Sequence, residues 1–113
     1  MATHIERGRW GEELAARWYQ RNGYRVVARN WRCALGEIDL ILRDRRLVVV
    51  CEVKARRTDA FGPAASAVGR VKQQRLRRLA AEWLATSGTH GVEVRFDVVA
   101  ITGRRLEVIH GAF

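Results

Sequence analysis

Two mostly apolar segments carry acidic side chains, and the second also carries a lysine. Asp39 lies within residues 37–43, and Glu52 and Lys54 lie within residues 47–55. Two carboxylates beside an ammonium are costly in apolar surroundings unless a metal ion or an anion uses them. Carboxylate oxygens are hard ligands that suit Mg²⁺ or Mn²⁺ better than Zn²⁺. The pattern therefore predicts a site for a hard divalent cation.

Such a site could hydrolyse a phosphodiester bond. Asp39 and Glu52 would hold the cation, which lowers the pKa of a bound water, and Lys54 would position that water or neutralise developing charge. The alternative interpretation is a surface cluster of ion pairs at a strand end, which is what a Glu-x-Lys triplet alone indicates in most proteins. We interpret Glu37, in the first segment, as a salt-bridge partner.

The charge balance indicates a polyanionic partner. The 113 residues include 21 Lys and Arg against 12 Asp and Glu, and the formal net charge is +9 at pH 7. Basic and amide side chains follow residues 47–55 and are frequent within residues 68–84, which we predict to be helical. We expect these side chains to contact a nucleic-acid backbone. They are Arg56, Arg57, Lys72, Gln73 and Arg75. A solvated basic helix face is the alternative.

The apolar runs of the chain are short. The longest strongly apolar one covers residues 47–51, far fewer than a bilayer requires, and the N-terminal residues lack the apolar stretch of a secretory signal. We therefore expect a cytoplasmic protein with no membrane association.

Hydrophobic periodicity places the candidate site on an α/β framework. It predicts helices over residues 5–22 and 68–84, and strands over residues 24–29, 37–43, 47–55, 92–101 and 106–109. The order is α-β-β-β-α-β-β. The helix between the third and fourth strands implies that these strands run parallel, so we expect a mixed central sheet flanked by helices. No linker divides the chain, and residues 1–113 are expected to form one domain.

The second and third strands are expected to form a hairpin that assembles the site. A register in which paired positions sum to 89 places Asp39 opposite Val50 and diagonal to Glu52, with both carboxylates on one face. Ile38 then falls on the other face, together with Leu40. A slip by one residue would drive the charges into the apolar face, which disfavours it.

Several other residues are interpreted as structural. Cys33 and Cys51 stand far apart with no histidine pair nearby, so we predict small buried or half-buried side chains rather than a zinc site or a disulfide. Trp31 lies in a predicted polar loop, where packing is favoured over stacking on a base. Asp97 is expected to pair with Arg95 or to cap a turn.

Residues 36–41 (GEIDLI) and 50–56 (VCEVKAR) together resemble the PD-(D/E)xK nuclease signature, and specifically the YraN family of small, largely uncharacterised bacterial proteins. The similarity covers nearly the whole chain, including Lys72-x-x-Arg75 in the second helix. Ile38 stands where the signature has proline. The resemblance implies a restriction-endonuclease-like fold, similar to that of archaeal Holliday-junction resolvases. It also implies Mg²⁺-dependent endonuclease cleavage of DNA, and of branched DNA in particular, by a homodimer. Single-stranded DNA stays open as a substrate.

The resemblance also assigns roles to particular residues. The metal ligands would be Asp39, Glu52 and the carbonyl of Val53, and the catalytic lysine would be Lys54. Glu12 matches the acid on the first helix that completes such sites as a catalytic residue and metal ligand. The adjacent Glu13 is a rival for that role, and an acid on a solvated helix face is the structural alternative.

A second hypothesis of a different class is a non-catalytic nucleic-acid-binding module or adaptor that keeps the nuclease fold. In such a protein the acidic cluster would serve structure. Asp39, Glu52 and Lys54 favour the enzyme, because a pure binding module would gain by losing acids that repel phosphate.

Overall fold

The computed structural model describes residues 4–57, 62–63 and 68–113, and the side chains of its first helix from Gly8 onward. The elements are α1 (His4–Arg21), β1 (Arg25–Cys33), β2 (Gly36–Asp44), β3 (Leu47–Arg56), α2 (Arg70–Ser87), β4 (Glu93–Thr102) and β5 (Arg105–Ile109). The predicted α/β class and the order α-β-β-β-α-β-β are confirmed.

The five strands form one mixed sheet in the order β1-β2-β3-β4-β5. β3 and β4 run parallel, and every other neighbouring pair is antiparallel. The parallel pair follows from α2, because a chain that leaves one end of β3 must cross the sheet to begin β4 in the same direction. The mixed sheet predicted from this crossover is confirmed.

Each face of the sheet is covered by one helix. On the α1 face, Ala15, Ala16 and Tyr19 pack against a group of strand residues that includes Leu40 and Val49. On the α2 face, four helix residues pack against another group of strand residues; the helix residues are Leu76, Leu79, Ala80 and Trp83, and the strand residues include Ile41, Val50 and Val98. Each fully buried Leu or Ile contributes about 2 kcal/mol through the water it no longer orders.

A glycine allows α1 to lie close to β3. A Cβ atom at Gly11 would stand 3.1 Å from the Cβ of Ala55 and 3.3 Å from Cδ1 of Ile101. The close approach brings the next residue, Glu12, to the end of the sheet that carries Asp39 and Glu52.

The register of the β2–β3 hairpin differs from the predicted one. Leu40 pairs with Cys51 and Asp44 pairs with Leu47, so paired positions sum to 91, and the prediction that Asp39 stands opposite Val50 was wrong. The turn is Arg45-Arg46, and Arg45 has φ 55°. The alternation of apolar residues does not distinguish registers that differ by two positions, because both leave every side chain on the same face. Continued past Leu40, the observed register sets Asp39 across from Glu52.

The predicted face of Ile38 and the predicted end of the first strand were also wrong. β1 continues to Cys33, and Trp31 pairs with Ile38 inside the sheet. Both side chains pack in the cluster under α2, rather than with Leu40. The β1–β2 pair is irregular in this region, because its register shifts between Val26 and Ala28 and Asn30 has a left-handed φ of 51°. The expectation that Trp31 packs is confirmed.

The cysteines behave as expected, since both are free thiols, Cys51 buried and Cys33 half-buried. In the part of the chain that the structure describes, neither helix has the length and apolar character needed to span a membrane.

Candidate functional site

Asp39 and Glu52 come together where β2 and β3 part. The backbone N–H of Val53 donates a hydrogen bond of 2.9 Å to Oδ2 of Asp39, which fixes that carboxylate against β3. Both acids line a cavity of about 210 Å³, and Lys72 and Arg75 of α2 line it from above. The predicted pair of carboxylates on adjacent strands is therefore brought to one cavity.

The site concentrates negative charge. Burial, together with the nearby carboxylates of Glu52 and Glu12, raises the pKa of Asp39 from an ordinary 3.8 to about 7. The N–H of Val53 and the ammonium of Lys72 oppose this rise without cancelling it. A divalent cation would relieve the repulsion among these acids, because its charge is the largest that such a site can hold.

Lys72 contacts the site directly. Its Nζ lies 2.6 Å from Oε1 of Glu52, and the Glu52 side chain is only 9% exposed whereas that of Lys72 is 46% exposed. Lys72 was predicted to contact phosphate, and its ion pair with Glu52 was not predicted. The available signal was its chemistry, since Lys54 and Lys72 are the only two lysines among 21 basic residues.

The structure distinguishes Glu12 from Glu13. Glu12 lines a second cavity of about 720 Å³ with Asp39, on the side opposite Lys72, and Arg9 and Arg32 line the same cavity. Burial raises the pKa of Glu12, the side chain of Asn30 opposes the rise, and the carboxylates of Glu37 and Glu52 add to it. Of these two acids, Glu12 therefore belongs to this cluster.

Glu13 is engaged in ion pairs on the surface of α1 and β1. Its carboxylate lies 3.1 Å from Arg17 and 2.7 Å from Arg29. The expected salt bridge of Glu37 is also present, at 3.3 Å from Arg32. Among the described residues, by contrast, no direct ion pair joins Asp39 or Glu12 to a basic side chain, although Lys72 and Arg29 lie near enough to lower their pKa values.

Lys54 is exposed and lies two residues along β3 from Glu52, so both side chains leave the strand on the same face. Within residues 4–57, 62–63 and 68–113, no hydrogen bond or ion pair joins its ammonium to another side chain. Lys54 lines neither of the two cavities that Asp39 lines, so its catalytic role stays a prediction.

Arg56 and Gln73, like Lys72, have hydrogen-bond partners within the chain. Arg56 donates to Oγ1 of Thr102 at 3.1 Å and to the carbonyl of Gly62 at 2.8 Å. Gln73 donates to the carbonyl of Val68 at 3.0 Å, at the start of α2. Arg57 and Arg75 are exposed, and Arg75 lies at the cavity of Asp39 and Glu52.

The donor set suits a hard cation that keeps much of its water. Across the described ranges, no three His, Cys, Asp or Glu side chains are grouped closely enough to form a preformed metal cage. Asp39 and Glu52 supply two carboxylates at one cavity, and Mg²⁺ is commonly held by one or two carboxylates together with waters and substrate phosphates. The residues therefore fit Mg²⁺ or Mn²⁺ better than a metal that needs four protein ligands.

A second polar cluster lies on the α1 side of the sheet. Asp97 is fully buried and accepts hydrogen bonds from Arg95 at 2.8 Å and from the Tyr19 hydroxyl at 2.7 Å. The His110 ring lies 2.7 Å from the same carboxylate. The predicted pair of Asp97 with Arg95 is confirmed, and Tyr19 and His110 were missed because they stand far from Asp97 in sequence.

Comparisons with known proteins agree with the expected family. The family model described as uncharacterised protein family UPF0102 matches residues 11–101, a span that includes Glu12, Asp39, Glu52 and Lys54. A UPF0102 protein of Beutenbergia cavernae is 52% identical over 98 residues, which cover 87% of this chain and 83% of that protein.

Other relatives cover nearly the full length of both chains. A UPF0102 protein of Acidothermus cellulolyticus is 48% identical over 121 residues, covering 94% of this chain and 92% of the relative. A third, of Mycolicibacterium vanbaalenii, is 53% identical over 111 residues, covering 96% and 92%. The expected YraN family is thereby confirmed, and the chain belongs to the uncharacterised protein family UPF0102.

Proposed function

We propose that this protein is an endonuclease that depends on a divalent cation and hydrolyses phosphodiester bonds of DNA. The observation that carries the proposal is the meeting of Asp39 and Glu52 from adjacent strands at one cavity, with cationic side chains of α2 above them. Paired acids under a basic helix face suit a reaction in which a cation and a phosphate meet.

Each residue has a role in this proposal. Mg²⁺ or Mn²⁺ would supply Lewis acidity and lower the pKa of the attacking water. Asp39 and Glu52 would hold the cation, with the carbonyl of Val53 as a further ligand. Glu12 lines the other cavity beside Asp39 and does not form a preformed group of three acids with the pair, so it would have to move toward them to become a ligand. Lys54 would orient the water or neutralise charge that develops on the phosphate.

The charge distribution supports DNA as the substrate. The net charge is +9, and Arg75 lies beside the acids at the smaller cavity while Arg9 and Arg32 line the larger one on the other side of Asp39. A strand that crosses Asp39 would thus meet cations on both sides. From the resemblance to resolvases, we further propose a branched substrate and a homodimer. Single-stranded DNA is a further candidate substrate, and the short apolar runs of the chain support action in the cytoplasm.

Cleavage of a labelled panel tests the proposal. A four-way junction, a flap, a single strand and a duplex are incubated with Mg²⁺ or Mn²⁺ and with the wild-type protein, Lys54→Ala or Glu52→Gln. We expect cleavage by the wild type and a loss of at least about 100-fold in both variants, with DNA binding retained. Glu107→Gln, an exposed acid on β5, is the control and should cleave normally. Full turnover by both site variants would place the reaction elsewhere.

A second candidate is a non-catalytic nucleic-acid-binding module. The Lys72–Glu52 ion pair favours it, because this pair gives Glu52 a partner within the chain and so a structural reason to be there. Binding that weakens with salt, without cleavage of any substrate under either cation, would support this module over the enzyme.

A further inference from the structure

Lys72, which forms the ion pair with Glu52, lies at a position where a positive charge destabilises its own helix. Lys72 is the third residue of α2, and the first turn of this helix has no acidic residue. A positive charge in the first turn is unfavourable, because the N-terminal end of a helix already carries a partial positive charge. Lys72 is therefore better explained by Glu52, 2.6 Å away, than by the needs of the helix.

Lys72 occupies the position that a cation at Glu52 would need. Its ammonium contacts Oε1 of Glu52, and both residues line the cavity that Asp39 also lines. A divalent cation on the two carboxylates and an ammonium on one of them would repel each other strongly at such short range. The two therefore compete for Glu52.

Lys72 can leave its position without disturbing the fold. The side chain is 46% exposed and its stem is flexible, whereas Glu52 is held in the sheet and is 9% exposed. An ammonium that leaves Glu52 remains at the mouth of the cavity, one helical turn from Arg75. The Lys72 ammonium and the Arg75 guanidinium together could then bind a phosphate group.

We propose that Lys72 is the resident counter-ion of Glu52, that a divalent cation displaces it, and that the displaced ammonium then binds a phosphate of the nucleic acid. This inference rests on the proposed function, since it concerns the same cation and substrate. It predicts that the divalent cation binds Asp39 and Glu52 more weakly in the presence of the Lys72 ammonium than in its absence. It also predicts that the divalent cation and DNA bind cooperatively.

Calorimetric titration with Mn²⁺ tests the competition without any turnover. Lys72→Met removes the competing ammonium, and Arg75→Met is the matched control, because it removes a positive charge at the same cavity that does not contact Glu52. We expect Lys72→Met to lower the Kd for Mn²⁺ by about three- to tenfold and Arg75→Met by less than about twofold. Equal Kd values for the two variants would overturn the inference.

Fluorescence anisotropy tests the second half of the proposal. A labelled four-way junction is titrated with and without Mn²⁺ into Lys54→Ala, in which we expect cleavage to be suppressed, and into the double variant Lys54→Ala, Lys72→Met. We expect Mn²⁺ to strengthen DNA binding by Lys54→Ala, and the gain to fall by at least about threefold in the double variant. The same gain in both proteins would contradict a role for Lys72 at the phosphate.

The outcomes separate this inference from the proposed function. If the wild-type protein takes up no Mn²⁺ at millimolar concentration, the cation site fails, and both proposals fall. If the wild type binds Mn²⁺ and cleaves DNA but Lys72→Met binds Mn²⁺ no more tightly than Arg75→Met, only the role of Lys72 falls. Thermal melts of each variant exclude unfolding as the cause, and an exposed position on α2 makes unfolding unexpected.

Discussion

Asp39 interacts with acids on two neighbouring elements, Glu12 on α1 and Glu52 on β3. Because it is also largely buried, its pKa rises to about 7, so it exchanges its proton close to neutral pH. Folding therefore favours the protonated form, and ionised Asp39 is held in place at the expense of stability. Residues kept in such a state are common at functional sites, where the charge has a use that folding alone does not supply.

The first prediction concerns the pH dependence of stability at Asp39. Since folding raises its pKa from 3.8 to about 7, the stability that Asp39 contributes is present below pH 3.8 and is lost as the pH rises through 7. Asp39→Asn cannot ionise and still offers an oxygen to the N–H of Val53. We expect the gain in unfolding free energy from Asp39→Asn to be about 2 kcal/mol greater at pH 8 than at pH 5.

Chemical denaturation in EDTA at both pH values measures this difference. Glu82→Gln, which removes an exposed acid on α2, serves as the control and should show no such pH dependence. If Asp39→Asn raises the unfolding free energy no more at pH 8 than at pH 5, ionised Asp39 does not destabilise the folded protein as proposed.

At the scale of elements, the site depends on how closely α1 approaches β3. Gly11 permits a contact that a larger residue would block, and Gly8, one turn earlier in the same helix, has open space around it. Substitutions at the two glycines therefore distinguish the effect of helix propensity from the effect of packing α1 against the sheet.

The second prediction compares alanine at these two positions. Gly8→Ala should raise the unfolding free energy by about 1 kcal/mol, because alanine is the better helix former and its methyl group meets nothing within 4 Å. Gly11→Ala should lower it by about 1 kcal/mol, because the new Cβ would stand 3.1 Å from that of Ala55, which cannot move without the strand. Urea denaturation measures the unfolding free energy of both variants. If both variants are equally stabilised, α1 has room to shift away from β3.

The elements themselves follow from periodicity, but their junctions do not. Alternating and helical patterns predict five strands and two helices, whereas the register at Asp39 differs by two positions from the predicted one because both registers bury the same side chains. The irregularity of the β1–β2 pair, which accompanies the change of face at Ile38, leaves no trace in the hydrophobic pattern. To predict the contact between Lys72 and Glu52, one must know which turn of α2 lies over β3. That position depends on how the whole helix packs against the sheet.

A polar network joins α1 to the last strands. Although burial pushes the pKa of Asp97 upward, hydrogen bonds from Arg95, Tyr19 and His110 together hold it below its ordinary value. The backbone N–H of Gly111 also donates to this carboxylate, at 3.1 Å, so the chain beyond β5 is tied to the same point. Asp97 is thus a shared anchor for three parts of the fold.

The third prediction follows from this anchor. Because folding lowers the pKa of Asp97, its stabilisation is present above the ordinary value of 3.8 and is lost as the pH falls through the folded value. Asp97→Asn should cost about 3 kcal/mol at pH 7 and clearly less at pH 3, since it leaves Arg95 partly buried without its counter-ion. Tyr19→Phe should cost about 1 kcal/mol. Denaturation curves at the two pH values measure both, and Asp44→Asn, an exposed acid at the end of β2, is the control.

At the scale of the whole molecule, the charges are divided. The acids Glu12, Asp39 and Glu52 gather at one end of the β2–β3 hairpin, and the turn Arg45-Arg46 lies at its other end. The net charge of +9 attracts a polyanion to the molecule as a whole, while the acids repel phosphate unless a cation intervenes. A nucleic acid therefore gains from contacts at the rim of the site, where Arg75 lies.

The fourth prediction separates this rim from the general positive charge. In EDTA, where no cleavage occurs, the logarithm of the DNA association constant should fall linearly with the logarithm of the salt concentration. Arg75→Gln should reduce that slope by about 1, because one phosphate contact is lost, whereas Arg46→Gln at the distant turn removes the same charge and should leave the slope unchanged. Anisotropy titrations of a labelled junction at several salt concentrations provide the slopes. An equal reduction by both variants would mean that DNA responds to net charge alone, and it would remove the argument that the strand lies over Asp39 and Glu52.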